Sequence, residues 1–155
     1  MDVKYVNPFI ESFAIVMPQL GFASTQKTGI AVKGREIVNT GVVIVLGIVG
    51  EIKGNIVYAI DYDSAKKIAS IMMMGMPVTE LDEMAQSALS ELTNMLTANA
   101  ATAFSNIGII IDISTPTLLY GDNISIKMSS EKVLSVKLQA DDIPLEVNIS
   151  FENNH

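Results

Sequence analysis

The sequence predicts an α+β fold in which about three helices, one of them long, pack against a mainly antiparallel β-sheet. Helical and strand-like segments are segregated along the chain, in the order helix, strands, two helices, strands, and this order is typical of the α+β class. In addition, 49% of the 155 residues are apolar, which is enough for a substantial core. We therefore expect one domain that spans residues 1–155.

The first predicted element is a helix in the segment NPFIESFAIVMPQLG. Asn7 is expected to be its N-cap and Pro8 its first residue, because proline is favoured at the first helical position. Pro18 and Gly21 are expected to end it. Apolar residues that recur at helical spacing predict its buried face: Phe9, Phe13 and Val16.

The central part of the chain predicts a β-hairpin followed by a second helix. The segments GVVIVLGIVG and GNIVYAIDY are rich in β-branched residues and flank the glycine-containing turn GEIKGN. The first segment is apolar on both faces, which indicates a central strand. The following segment, DSAKKIASIMMMGMP, predicts a helix capped by Asp63 or Ser64 and ended by Gly75 and Pro77.

The last third of the chain predicts only short strands. The segments IIIDISTPTLLYG, NISIKMS, VLSVKLQ and LEVNISF alternate partly between apolar and polar residues. Turn-forming residues, GDN and SSEK, separate some of them. An exposed edge among these strands is a candidate surface for self-association, because unpaired strand edges favour pairing.

A long helix is predicted between these two halves, from about Thr79 to Ile107, with Gly108 at its end. Thr79 and Asp82 have the spacing of a capping box. With 100° between successive residues, a broad apolar arc predicts the core face: Leu81, Met84, Ala85, Ala88, Leu89, Leu92, Met95, Leu96, Ala103 and Phe104. Polar residues beyond this arc are expected to be solvated: Gln86, Ser90, Thr93 and Thr97.

A second, narrower arc of this helix carries the polar string Ser87-x-x-x-Glu91-x-x-Asn94. These side chains are neighbours, because residues three and four apart share a helix face. Glu83 and Ala98 lie on the same stripe, and the small Ala98 leaves room for another surface to approach. Asparagine is unfavourable in the middle of a helix. Helix geometry alone nevertheless favours a solvated face over a functional one, and leaves both open.

Composition argues against several classes of protein. The net charge of −7, with only ten Lys and Arg, argues against a nucleic-acid or anionic-membrane partner. There is no cysteine, and the only histidine is His155, which is either native or a tag remnant and is set aside. Thiol and imidazole chemistry and a metal site are therefore not expected. Because no signal peptide or membrane-spanning run is evident, we expect a soluble, cytoplasmic protein.

The whole layout resembles the CheC/CheX family of chemotaxis phosphatases. SALSELTNMLTANAATAF is similar to the family's Ser/Asp-x-x-x-Glu-x-x-Asn helix, and MMMGMPVTELDEMAQSA is similar to the segment that leads into it. The hairpin VVIVLGIVGEIKGNIVYAI and the segment IDISTPTLLYG extend the similarity over nearly the full chain. Only one helix carries the motif, which resembles CheX rather than CheC, whose members carry two.

The resemblance implies a phosphatase that hydrolyses the aspartyl phosphate of a CheY-like response regulator, in chemotaxis or related two-component signalling. It implies two catalytic residues: Asn94 would orient the attacking water, and Glu91 would bind the regulator's lysine or otherwise fix the docked geometry. Ser87, Glu83 and Ala98 are then expected to contact the partner. The resemblance further implies a homodimer. It places Mg²⁺ in the regulator and no cofactor in this chain.

Two alternatives and one departure from the family pattern accompany this hypothesis. The chain could instead be a non-catalytic module of the same fold that binds a receiver domain or a flagellar switch protein, or a structural homodimer whose polar stripe is only solvated. Asn99 stands where the family commonly has glycine, and it projects towards the apolar arc. We expect Asn99 either to be buried with hydrogen-bond partners or to mark an irregularity in the helix.

Overall fold

The computed structural model describes residues 3–152, which form three α-helices and one seven-stranded β-sheet. The helices are α1 (Asn7–Gln19), α2 (Tyr62–Met72) and α3 (Glu83–Asn106). The strands are β1 (Thr25–Lys33), β2 (Glu36–Gly50), β3 (Gly54–Ile60), β4 (Ile111–Ile113), β5 (Thr117–Lys127), β6 (Val133–Ala140) and β7 (Ile143–Phe151). A short 3-10 turn, Val3–Tyr5, precedes α1. The predicted α+β class is confirmed, and His155 lies outside the described residues.

Every strand pairing in the sheet is antiparallel, and the order is β1-β6-β7-β3-β2-β4, with β5 also paired to β2. The predicted hairpin corresponds to β2 and β3, with Val45 opposite Val57. Because β2 has β3 on one side and β4 and β5 on the other, it is an interior strand, as predicted. Within the described residues, β1 and β5 each pair with one strand only, so both present an unpaired edge.

Two features of the sheet differ from the sequence prediction. The strand β1 was not predicted, because it lies at the sheet edge and its side chains are mostly exposed, without alternation. The segment GDN does not form a turn, since β5 continues through it and the β2–β5 register shifts between Asn39 and Gly41. This bulge needs a glycine: Gly41 has φ +131°, and a Cβ atom there would lie 2.4 Å from the carbonyl oxygen of Ile60.

The first two helices begin at residues other than those predicted. The N-cap of α1 is Val6, which makes no side-chain cap, so the assignment of Asn7 as N-cap is wrong by one residue. The N-cap of α2 is Asp61 rather than Asp63 or Ser64, and its carboxylate accepts a hydrogen bond of 2.8 Å from the backbone N–H of Ser64. An aspartate in extended conformation just before the helix satisfies an amide that would otherwise lack a partner.

The long helix α3 is shorter than predicted at its N-terminus. Asp82 is the N-cap, and its carboxylate accepts a hydrogen bond of 2.9 Å from the backbone N–H of Ala85, so the predicted start at Thr79 is wrong. The side-chain amide of Gln86 donates to the carbonyl of Leu81 at 2.7 Å and fixes the preceding loop on the first turn. The other end agrees with the prediction, because Gly108 follows the helix with φ +88°.

The main core lies between the three helices and one face of the sheet, and it holds α3 along its length. At the C-terminal end of α3, four aromatic rings pack with centroids 5.5–6.2 Å apart: Tyr5, Phe9, Phe104 and Phe151. A smaller apolar cluster covers part of the opposite sheet face: Ile37, Val43, Val57, Met128 and Val133. Because α3 is capped at its N-terminus and packed against aromatic rings at its C-terminal end, the residues on its outer side are held in a fixed position relative to the core.

Candidate functional site

The predicted polar stripe lies on the solvent-facing side of α3. Glu83, Ser87, Glu91 and Ala98 are exposed, and Asn94 is half-buried. Their helical spacing brings Ser87, Glu91 and Asn94 together on adjacent turns. The opposite side of the helix is buried: Ala85, Leu89, Leu92, Thr93, Leu96, Thr97, Ala100 and Phe104. The structure therefore separates the stripe from the core face of the helix.

The core face of α3 is rotated relative to the prediction, because two threonines belong to it. Thr93 and Thr97 are only 1% and 0% exposed, so their assignment to the solvated face is wrong. Their hydroxyls need no solvent, since Thr93 donates to the carbonyl of Ser90 at 3.0 Å and Thr97 donates to the carbonyl of Thr93 at 2.7 Å. Each threonine can therefore direct its methyl group into the core.

Met84 is the other error in the predicted core face. This residue is 61% exposed, although the apolar pattern placed it inside. By the 100° arithmetic it projects about 20° from the direction of Glu91, on the stripe side of α3. Met95 and Ala88, also assigned to the core, are half-buried at the border of that side. The stripe is thus an acidic and amide-bearing surface with an exposed thioether at its N-terminal end.

The electrostatic character of the site is simple. The helix carries two carboxylates, those of Glu83 and Glu91, and no Lys or Arg. Within residues 3–152, the side chains of Ser87, Glu91 and Asn94 make no hydrogen bond or ion pair with the rest of the chain. A carboxamide can donate to and accept from one water, and an exposed carboxylate attracts a cation. These groups are therefore available to an external partner.

The structure accommodates Asn99 without the effects that were expected. Asn99 is half-buried rather than buried, and α3 is helical without interruption from Glu83 to Asn106. Both expectations, a buried hydrogen-bonded side chain and an irregular helix, are therefore wrong. Asn99 lies at the border of the buried face, so its side chain can project partly into solvent. The helix axis beneath Asn94 is not broken by it.

Between residues 3 and 152, no group of three or more His, Cys, Asp or Glu side chains is arranged to hold a metal ion. Over the same range, no helix combines the length and the hydropathy that crossing a membrane requires.

Sequence comparisons decide the family. The family model described as "Chemotaxis phosphatase CheX" matches residues 42–139, a range that includes all of α3 and its stripe. A protein named CheY-P phosphatase CheX, from Thermotoga maritima, is 35% identical over 128 residues, which are 82% of each chain. This chain belongs to the CheX family. The family predicted from the Ser87-x-x-x-Glu91-x-x-Asn94 helix and its flanking segments is therefore confirmed.

Solved structures agree with membership of the CheX family at the level of the fold. A CheC-like superfamily protein from Shewanella sp. PV-4 superimposes with a TM-score of 0.87 at 24% identity, over 99% of this chain and 100% of that chain. A chain of the CheX–CheY–BeF3–Mg²⁺ complex from Borrelia burgdorferi superimposes with a TM-score of 0.82, also at 24% identity, over 98% and 100% of the two chains.

Proposed function

We propose that this protein hydrolyses the aspartyl phosphate of a CheY-like response regulator in chemotaxis or related two-component signalling. The observation that carries the proposal is the pair of exposed Glu91 and half-buried Asn94 on the long helix of a CheX-family chain, since neither side chain has a bonding partner within residues 3–152. It is supported by the name of the Thermotoga maritima relative, a CheY-P phosphatase, and by the Borrelia burgdorferi complex, which contains CheY. The reaction forms a bond from water oxygen to phosphorus, breaks the acyl phosphate bond, and yields inorganic phosphate and a free aspartate.

Asn94 is assigned the central role, that of orienting the attacking water. Phosphoryl transfer from an acyl phosphate requires little covalent help from the protein, so positioning and electrostatics supply most of the acceleration. The carboxamide of Asn94 can accept a hydrogen bond from the water and donate another within the docked complex. Its place on a packed, continuous helix suits this task, because the helix fixes the position of the amide relative to the protein surface that the regulator would contact.

Glu91 and the rest of the stripe are assigned to docking. Glu91 lies one turn before Asn94 and would pair with the regulator's lysine, which fixes the partner relative to the amide. Ser87, Glu83 and Ala98 would contact the regulator around this pair. No cofactor is assigned to this chain. We place Mg²⁺ in the regulator, where it would offset phosphoryl charge. The Borrelia burgdorferi complex also contains Mg²⁺.

A turnover assay tests the proposal. Candidate receiver domains are phosphorylated with a small-molecule donor, the donor is removed, and a substoichiometric amount of this protein is added with Mg²⁺. We expect several equivalents of inorganic phosphate to be released per protein, well ahead of spontaneous decay. Tight binding measured by calorimetry, with an unchanged phosphate lifetime, would instead identify a non-catalytic receiver-binding module.

Met84 is expected to contribute apolar contact to the same docking surface. The Met84→Asp variant should raise the KM for the phosphorylated regulator by about 10-fold with little change in kcat, because a charge would be placed in an apolar contact far from the reacting atoms. Ile15→Asp, which makes a similar change at an exposed position on α1, is the matched control and should leave KM unchanged. Equal effects of the two variants would remove Met84 from the interface.

We also propose that the protein is a cytoplasmic homodimer, with neither a nucleic-acid nor a membrane partner. The unpaired edge of β5, where Leu119 and Tyr120 are exposed, and the unpaired edge of β1 are the surfaces that support self-association. Sedimentation equilibrium is expected to give roughly twice the chain mass of 16.7 kDa. A mass that stays at that of one chain up to high concentration would contradict the dimer.

A further inference from the structure

Beneath the candidate site, α3 is held by buried hydroxyl groups from two other elements. Tyr58 of β3 and Ser12 of α1 are each 1% exposed, and both point at α3. The hydroxyl of Tyr58 lies 2.8 Å from the hydroxyl of Thr97. The hydroxyl of Ser12 donates a short hydrogen bond to the backbone carbonyl of Leu96. Both contacts fall within one turn of Asn94, on the side of the helix that faces the core.

The direction of each hydrogen bond follows from counting protons. Thr97 has one hydroxyl proton, and it is donated to the carbonyl of Thr93 at 2.7 Å. Tyr58 must therefore donate to Thr97, which gives a chain that runs from the sheet through Thr97 to the backbone of α3. Burial raises the pKa of the Tyr58 phenol, so this donor keeps its proton at any physiological pH.

The hydroxyl groups of Tyr58, Ser12 and Thr97 are not needed to fill the core. Phenylalanine, alanine and valine would occupy almost the same volumes as Tyr58, Ser12 and Thr97 without any polar group to satisfy. Threonine is also a poor residue for the interior of a helix. Hydrogen bonds to fixed points on the sheet and on α1 are directional, so they add to the restraint that close apolar packing already places on rotation of the helix. The arrangement therefore restrains the rotation of α3 about its axis.

Rotation of α3 matters because Asn94 lies on its outer side. At a side-chain radius of about 5–6 Å, a rotation of about 10° moves the end of the Asn94 side chain by about 1 Å. A displacement of that size can reduce the rate of a position-dependent reaction by about 100-fold. The hydrogen bonds from Tyr58 and Ser12 thus lie where a small rotation of α3 has a large effect on the position of Asn94.

We propose that Tyr58 and Ser12 are positioning residues for the dephosphorylation reaction, acting through Thr97 and the backbone of α3 to fix the orientation of Asn94. This inference rests on the proposed function for its kinetic consequence. It does not rest on that function for its structural consequence, which is a restrained Asn94 side chain in the protein alone.

The kinetic test uses Tyr58→Phe, Ser12→Ala and the double variant at a temperature where circular dichroism shows each to be folded. We expect Tyr58→Phe to lower kcat by about 10-fold and to leave KM within about 2-fold, with a larger loss in the double variant. Thr97→Ser, which keeps the hydroxyl, should retain a kcat close to that of wild type. Thr97→Val, which removes the hydroxyl, should lower kcat as Tyr58→Phe does. Ser150→Ala is the matched control, because this buried hydroxyl bonds to the 129–130 turn and not to α3.

A second measurement needs no regulator. The order parameter of the Asn94 side-chain NH2 group, measured by NMR relaxation, should fall in Tyr58→Phe and Thr97→Val and stay unchanged in Thr97→Ser and Ser150→Ala. Unchanged order in the first two variants overturns the inference, whether or not the protein is a phosphatase. If wild type has no effect on any regulator, the proposed function fails while the relaxation data still decide the role of Tyr58. If kcat falls equally in Ser150→Ala, the effect is general destabilisation and the inference is wrong.

Discussion

Replacing Asn94 by alanine is expected to abolish the acceleration of regulator dephosphorylation, with a fall in kcat of about 100-fold or more. The loss is large because the Asn94 carboxamide is the only group assigned to orient the attacking water. Without that orientation, most of the rate acceleration that comes from positioning is lost. Binding of the phosphorylated regulator should change little, since Glu91 and the other docking residues are retained. The measurement is the decay of the regulator's phosphate at saturating protein, with wild type and Asn94→Ala in parallel.

Stability provides the control for this variant. Asn94 is half-buried, its side chain makes no hydrogen bond within the described residues, and alanine has the higher helix propensity. Asn94→Ala should therefore unfold at a temperature equal to or slightly above that of wild type. A loss of activity that came with a loss of stability would point to misfolding, and retained activity in a well-folded variant would remove Asn94 from the mechanism.

Reversing the charge of Glu91 is expected to have the second largest effect. Glu91→Lys should raise the Kd for the regulator by about 30-fold or more, because a lysine-pairing carboxylate would be replaced by a like charge at the centre of the contact. The effect on kcat at saturating regulator should be smaller than that of Asn94→Ala. Calorimetric titration of the regulator into each variant measures the Kd directly.

Long-range electrostatics must be separated from this local effect. Glu11→Lys makes the same change in net charge at an exposed position on α1 and is the matched control. A general field effect would act on both variants and would be screened at high salt. We expect Glu11→Lys to bind the regulator as wild type does. Equal weakening in the two variants would contradict a specific contact at Glu91.

Most of the fold was predictable from local patterns, and the errors have local causes. The β2–β3 hairpin and the body of α3 follow from strand-like and helical periodicity that extends over many residues. The predicted starts of α2 and α3 differ from the observed ones because several neighbouring residues were plausible caps. The residues that cap these helices are Asp61 and Asp82, whose carboxylates accept from the backbone amides three residues ahead. The edge strand β1 has no alternating pattern, since neither of its faces is well covered.

The candidate site shows where sequence patterns are insufficient. The exposed stripe from Glu83 to Ala98 follows from helical spacing, but polarity alone misassigned Thr93 and Thr97. Threonine can satisfy its hydroxyl on the carbonyl of its own helix, so a buried position costs it little. The spacing of four between Thr93 and Thr97 is the signal that could have indicated this. Nothing local indicates that Tyr58, 39 positions away, donates to Thr97, because that contact depends on the tertiary fold.

The phosphate lifetime of a CheY-like regulator at saturating protein tests the central claim most directly. With wild type, we expect the regulator's aspartyl phosphate to decay at least about ten times faster than in buffer. With Asn94→Ala, at equal occupancy of the complex, decay should return to the buffer rate. A lifetime unchanged by wild type, or shortened equally by wild type and Asn94→Ala, would contradict the assignment of this helix as a phosphatase site.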